Sequence, residues 1–152
     1  MAETRIFIDA DACPVKDEVY KVAWRHNVPV VLVSNSPMRI PEHPLIHRKI
    51  VSDGFDAADD WIVENLNAQS IVITADILLA DRCLKDGAAA VLSPNGKPFT
   101  PDSIGNAVAV RAIMADLRAG AVGQQIGGPP PFSKTDRPRF PSELDKAVVR
   151  LR

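Results

Sequence analysis

The stretch Ser70-Ile71-Val72-Ile73-Thr74-Ala75-Asp76 decides the fold. Three consecutive β-branched aliphatic residues without polar alternation describe a strand buried on both faces, as in a parallel sheet covered by helices on each side. Asp76, just ahead of Ile77-Leu78-Leu79-Ala80, is an N-cap signal for a helix that ends at Gly87. Strand then helix is the unit of a parallel α/β protein. Working outward, the unit recurs. Arg5 to Asp9 (RIFID) reads as a strand and Pro14 to His26 as its helix, with Val15, Val19 and Val22 on one face. Pro29 to Ser34 (PVVLVS), Ile46 to Val51 and Ala88 to Leu92 read as further strands, and Asp56 to Leu66 as a helix. Thr100 as cap, Pro101 at the first position and Gly120 as a left-handed stop delimit a helix from Pro101 to Ala119. The fold class expected is a three-layer α/β/α sandwich with a mainly parallel sheet of about five strands.

The chain has 152 residues, enough for one core, with 46% hydrophobic and 24% charged residues, so wholly disordered and collagen-like chains are excluded. Residues 1–120 are expected to form the α/β domain. Residues 121–152, which hold five of the 13 prolines, read as a Pro/Gly-rich tail of the same domain with a short helix at Ser142 to Leu151. No apolar run approaches the roughly 18 residues that span a bilayer, and MAETRIFIDADACP lacks the layout of a signal peptide. A cytoplasmic protein with no membrane partner is expected. Oligomeric state is not readable.

The net charge of −1 hides an asymmetry. Residues 1–102 carry 15 acids and 10 bases, whereas residues 103–152 carry 4 acids and 8 bases. Of the 19 acids, 14 are Asp, which favours caps, turns and metal sites over helix faces. Ligands of open parallel sheets bind beyond the carboxyl ends of the strands, and three aspartate groups fall there: Asp9 with Asp11, Asp56 with Asp59 and Asp60, and Asp76. Converging carboxylates require cations, and hard oxygen donors without His or Cys suit Mg2+ or Mn2+. Taken singly, each aspartate is explained as well by a cap or turn. Arg111 and Arg118, seven apart on the long helix, are candidates for substrate phosphate, with a solvated helix face as the plainer reading. Cys13 precedes a helix start that favours a thiolate, but no base accompanies it and a packed small residue is the simpler account.

FIDADACPVK at 7–16, VSDGFDAADDWIV at 51–63, VITADILLA at 72–80, RAIMADLR at 111–118 and GGPPPFSKTDR at 127–137 together resemble the YaiI/YqxD family of uncharacterised bacterial proteins. That family is similar to the PIN-like nucleases, whose Thr-x-Asp turn matches Thr74-Ala75-Asp76. The resemblance implies a PIN-like sandwich and an acidic Mg2+ or Mn2+ pocket with Asp9 and Asp11 in its first group, Asp56 and Asp59 in its second and Asp76 in its third. It leaves Asp60 and Asp81 without roles. Two departures stand out. Leu78 occupies a position where the family usually has proline, a site expected to be helical and buried, and Asp stands where PIN nucleases commonly carry the longer Glu.

Three functions follow as expectations. The first is metal-dependent phosphodiester hydrolysis of RNA or another nucleic acid, with Asp9, Asp76 and Thr74 catalytic and Thr74 orienting Asp76 or the attacking water. The second is a non-catalytic PIN-like module that binds nucleic acid or protein. The third, weaker, is a haloacid-dehalogenase-like phosphatase, because Asp9-Ala10-Asp11 is similar to that Asp-x-Asp nucleophile and acid.

Overall fold

The structure is a computed structural model that describes residues 4–10, 13, 15–35, 39–51, 57–105 and 136–151. Strand β1 (Arg5–Asp9) organises it. Ile6 and Ile8 enter one apolar layer and Phe7 the other, and all three are fully buried. A strand with both faces covered has to be central, and β1 pairs in parallel with β2 (Val30–Ser34) on one side and β4 (Ser70–Ile73) on the other. β3 (Ile46–Ile50) extends the sheet beyond β2 and β5 (Ala90–Leu92) beyond β4. The order is β3-β2-β1-β4-β5, parallel throughout.

Helices cover both faces, so the molecule is the three-layer α/β/α fold that the strand patterns predict. Helix α1 (Lys16–His26) buries Val19, Tyr20, Val22 and Ala23 against the Ile6–Ile8 side and stops where Asn27 takes a left-handed φ of 58°. On the opposite side, α2 (Ala57–Asn65) contributes Ala58 and Ile62, and α3 (Ile77–Lys85) contributes Leu79, Ala80 and Cys83. Residues 101–105 are helical (α4) and add Ile104 to that layer. Thr100 caps them reciprocally with Ser103: the Ser103 N–H donates to Thr100 Oγ1 at 3.1 Å and the Thr100 N–H to Ser103 Oγ at 2.8 Å. The remainder of the expected Pro101–Ala119 helix lies outside the described residues.

The C-terminal segment differs from expectation. Its helix, α5 (Asp136–Arg150), is longer than Ser142 to Leu151 and contains Pro141. Phe140, Leu144, Ala147 and Val148 are buried against the α1 side of the sheet. Tertiary burial of this stripe outweighs the local helix-breaking signal of Pro141. Gly96, in the turn after β5, has a φ of +89°, and a Cβ there would meet the Arg139 Cγ at 2.8 Å, so the turn can lie against α5 only as glycine. Other expected boundaries shift by one to three residues, as at α1, which opens after Val15, and β5, which opens at Ala90.

Candidate functional site

The chain steps outward from β1 through β2 to β3, then returns to place β4 on the other side of β1. The order therefore reverses between β1 and β4, and the crevice beyond their carboxyl ends is where open α/β sheets bind ligands. Asp9 closes β1 and Thr74 follows β4, so both lie at this edge.

Thr74 is buried, and its N–H donates to the Leu92 carbonyl at 3.0 Å, which holds the turn to β5. Its hydroxyl works in two directions. It donates to Asp9 Oδ2 at 3.0 Å and accepts the Asp76 N–H at 3.0 Å. Asp76 then caps α3, its Oδ1 accepting the Leu78 N–H at 2.9 Å and the Leu79 N–H at 3.3 Å. One hydroxyl thus links the carboxylate at the end of β1 to the start of α3. Sequence reading anticipates Thr74 beside Asp76; its bond to Asp9, 65 residues away, carries no local signal.

Asp59 sits in the first turn of α2. Its charge, like those of Asp86 and Asp9, acts on the buried Cys83 thiol of α3. That thiol is pushed up to about 12, mainly by burial, with Arg82 opposing and Asp59, Asp86 and Asp9 reinforcing. Asp60 and Asp81, left without roles by the sequence, have cation partners: Asp60 pairs with Arg82 at 2.9 Å, joining α2 to α3, and Asp81 with Lys85 at 2.8 Å. Asp11, Asp56, Arg111 and Arg118 lie outside the described residues. Among the described residues, no three His, Cys, Asp or Glu side chains gather as a metal-holding group.

One expectation is decided otherwise, and the simpler account of Cys13 holds. Leu78 is helical, but it is 59% exposed rather than buried, because the apolar face of α3 is made by Leu79, Ala80 and Cys83. Cys13 is buried and its thiol is pushed up to about 11, chiefly by burial, which outweighs the favourable charge of Lys16. It is the packed thiol rather than an activated one.

The family described as uncharacterised, YaiI/YqxD, matches residues 7–150. A UPF0178 protein of Sphingopyxis alaskensis is 68% identical over 152 residues, covering 100% of this chain and 97% of its own. Another, from Rhodopseudomonas palustris strain TIE-1, is 58% identical over 150 residues, covering 99% of this chain and 93% of its own. A third, from Bradyrhizobium diazoefficiens, is 53% identical over 148 residues, covering 97% of this chain and 87% of its own. No solved structure matches the chain. Among the described residues, no helix is long and apolar enough to cross a membrane.

Proposed function

The chain belongs to the YaiI/YqxD family, and from that premise we propose that it hydrolyses phosphodiester bonds of RNA or another nucleic acid with Mg2+ or Mn2+, in the manner of PIN-like nucleases. One observation carries the reading: the Thr74 hydroxyl joins Asp9 to the Asp76 turn at the point where the strand order reverses. The donor chemistry fits a hard cation. Asp9, Asp59 and Asp76 offer oxygens alone, and Mg2+ is commonly bound through one or two carboxylates while it keeps its waters. A group of three described ligands is therefore not a requirement.

Asp9 and Asp59 would hold the ion, with Asp76 contributing through the oxygen that does not cap α3, and Asp11 and Asp56 complete the proposed set on sequence grounds. A bound divalent ion supplies positive charge to phosphate oxygens and acidifies water. The hydrogen bond from Thr74 to Asp9 Oδ2 fixes how that carboxylate is turned, as an outer hydrogen bond does for a metal-ligating carboxylate. Arg111 and Arg118 remain the proposed phosphate contacts.

The test is cleavage of single-stranded RNA with and without Mn2+. Asp9→Asn should abolish a metal-dependent cleavage while leaving thermal unfolding near that of the parent, and metal-independent cleavage or full activity in that variant would refute the proposal. The non-catalytic reading draws on the cap duty of Asp76, which occupies its Oδ1 with two backbone N–H groups. RNA binding without cleavage under any divalent metal would favour it. The phosphatase reading is weaker, because Asp59-Asp60 lies within α2 rather than at a strand end.

A further inference from the structure

β3 is the edge strand next to β2, and it is built unlike the other four. Only Ile46 is buried, and His47, Arg48, Lys49 and Ile50 are exposed. Helix α2 packs over β1 and β2, and four of the five residues of β3 stay exposed. Residues 39–49 (RIPEHPLIHRK) carry three bases and one acid, and no acid occurs from 43 to 52, although acids outnumber bases fifteen to ten over residues 1–102.

The register gives this basic strand a place relative to the site. Lys49 pairs with Val33, and Val33 pairs with Asp9, so Lys49 lies level with Asp9 two strand spacings away, about 10 Å along the hydrogen-bonding direction. Val31, Val33 and Phe7 belong to the α2–α3 side, and residues paired across a parallel sheet point to the same face. His47 and Lys49 therefore project on the face that Asp9 shares, and Arg48 on the other. Charge on an edge strand also deters pairing with foreign strands. Lysine serves that purpose well, and the run from 43 to 52, basic and without an acid inside an acidic part of the chain, is in addition complementary in charge to an anion.

We infer that the β3 edge, through Lys49 with His47, holds the phosphate backbone of a single-stranded nucleic acid as it runs past Asp9. The inference rests on the phosphodiesterase reading of the Asp9 edge and narrows its substrate to a polymer, since a phosphate level with Lys49 belongs to a neighbouring nucleotide of the one at Asp9. It assigns Lys49 as a positioning residue rather than a catalytic one.

The experiment is fluorescence anisotropy with a fluorescein-labelled single-stranded RNA in EDTA, where cleavage is silent, across a sodium chloride series. Lys49→Ala should weaken binding severalfold and lower the slope of log affinity against log salt by about 0.7, the value of one lost single-strand phosphate contact. Lys49→Glu should weaken binding further, whereas Lys85→Ala, an exposed lysine on α3, should bind as the parent does. Unchanged affinity and slope in Lys49→Ala overturns the inference, as does an equal loss in Lys85→Ala or equal competition by polyglutamate at matched charge. The two proposals fail separately: Asp9→Asn that still cleaves refutes the phosphodiesterase, while loss of RNA binding in Lys49→Ala is read without any cleavage.

Discussion

On the face covered by α1 and α5, the buried layer runs without interruption from Ile6, Ile8 and Leu32 through Val19 and Val22 to Phe140, Leu144 and Val148. On the face covered by α2 and α3 the layer among the described residues is smaller, built on Phe7, Val33, Ile62, Val72 and Leu79, and at the carboxyl edge Asp9 and Thr74 are joined by a hydrogen bond. The first face closes with apolar area, which stabilises in proportion to what is removed from water. The second carries polar groups at its edge, and these need specific hydrogen bonds. Damage to the two faces should therefore differ in kind: loss of stability on the first, and a smaller loss of stability together with loss of chemistry on the second.

Phe140→Ala should have the largest effect on folding. A fully buried phenyl ring truncated to methyl costs about 3–5 kcal/mol, and urea unfolding should register it as a lower midpoint. A near-neutral result would mean that α5 is not part of the cooperative core. Thr74→Val comes next. It keeps the shape but leaves the Asp76 N–H without its acceptor and takes the donor from Asp9 Oδ2, so about 1–3 kcal/mol is expected. Proposed RNA cleavage should fall by more than stability does, and a variant with full cleavage would detach Thr74 from the site.

Asp76 separates cap from charge. Asp76→Ala should cost about 1 kcal/mol through loss of the bonds to Leu78 and Leu79, while Asp76→Asn, an equally good cap, should unfold nearly as the parent does and lose cleavage. If both variants unfold alike, the cap is not what Asp76 contributes.

The smallest effect belongs to the first face. Asp145 on α5 receives His26 Nε2 at 2.6 Å and Arg25 Nη1 at 3.2 Å from α1. The hydrogen bond with His26, helped by the charges of His26 and Arg25, holds the Asp145 carboxyl below its ordinary 3.8. A carboxyl depressed in the folded state contributes stability that is complete above its unfolded value and is lost as pH falls through the folded one. Asp145 is about a third exposed, so solvent screens much of the contribution. Asp145→Asn should make the unfolding midpoint slightly less sensitive to pH in the acid range, with no change in slope near neutral pH. An acid-range profile identical to the parent's would assign the α1–α5 contact to apolar packing alone.

Local signals account for the elements that were legible. SIVIT reads as a buried strand because β-branched residues without alternation fit nothing else at that length, and Asp76 reads as a cap because its side chain reaches N–H groups two and three residues on. The positions of Asp9 and Asp76 at strand ends place both at one edge, and Thr74 joins them by hydrogen bonds. The helix expected from Ser142 is α5, and its earlier start, at Asp136, is not legible locally because Pro138 and Pro141 are strong local breakers, while the stripe of Phe140, Leu144 and Val148 acquires its value only against α1. Leu78 is exposed where burial is expected, because an apolar residue carries no mark of which face of a short helix it occupies.

The sequence by itself determined the alternation of strands and helices, the caps, and the concentration of aspartates at strand ends. These follow from φ/ψ preference, side-chain periodicity and hydrogen bonds within a few residues. Only the tertiary structure decided the order β3-β2-β1-β4-β5, the hydrogen bond between Thr74 and Asp9, the seating of α5, and Lys49 level with Asp9. Each of those joins residues far apart in the chain, and the free energy that selects among such pairings comes from burial and register across the whole sheet, which no local window contains.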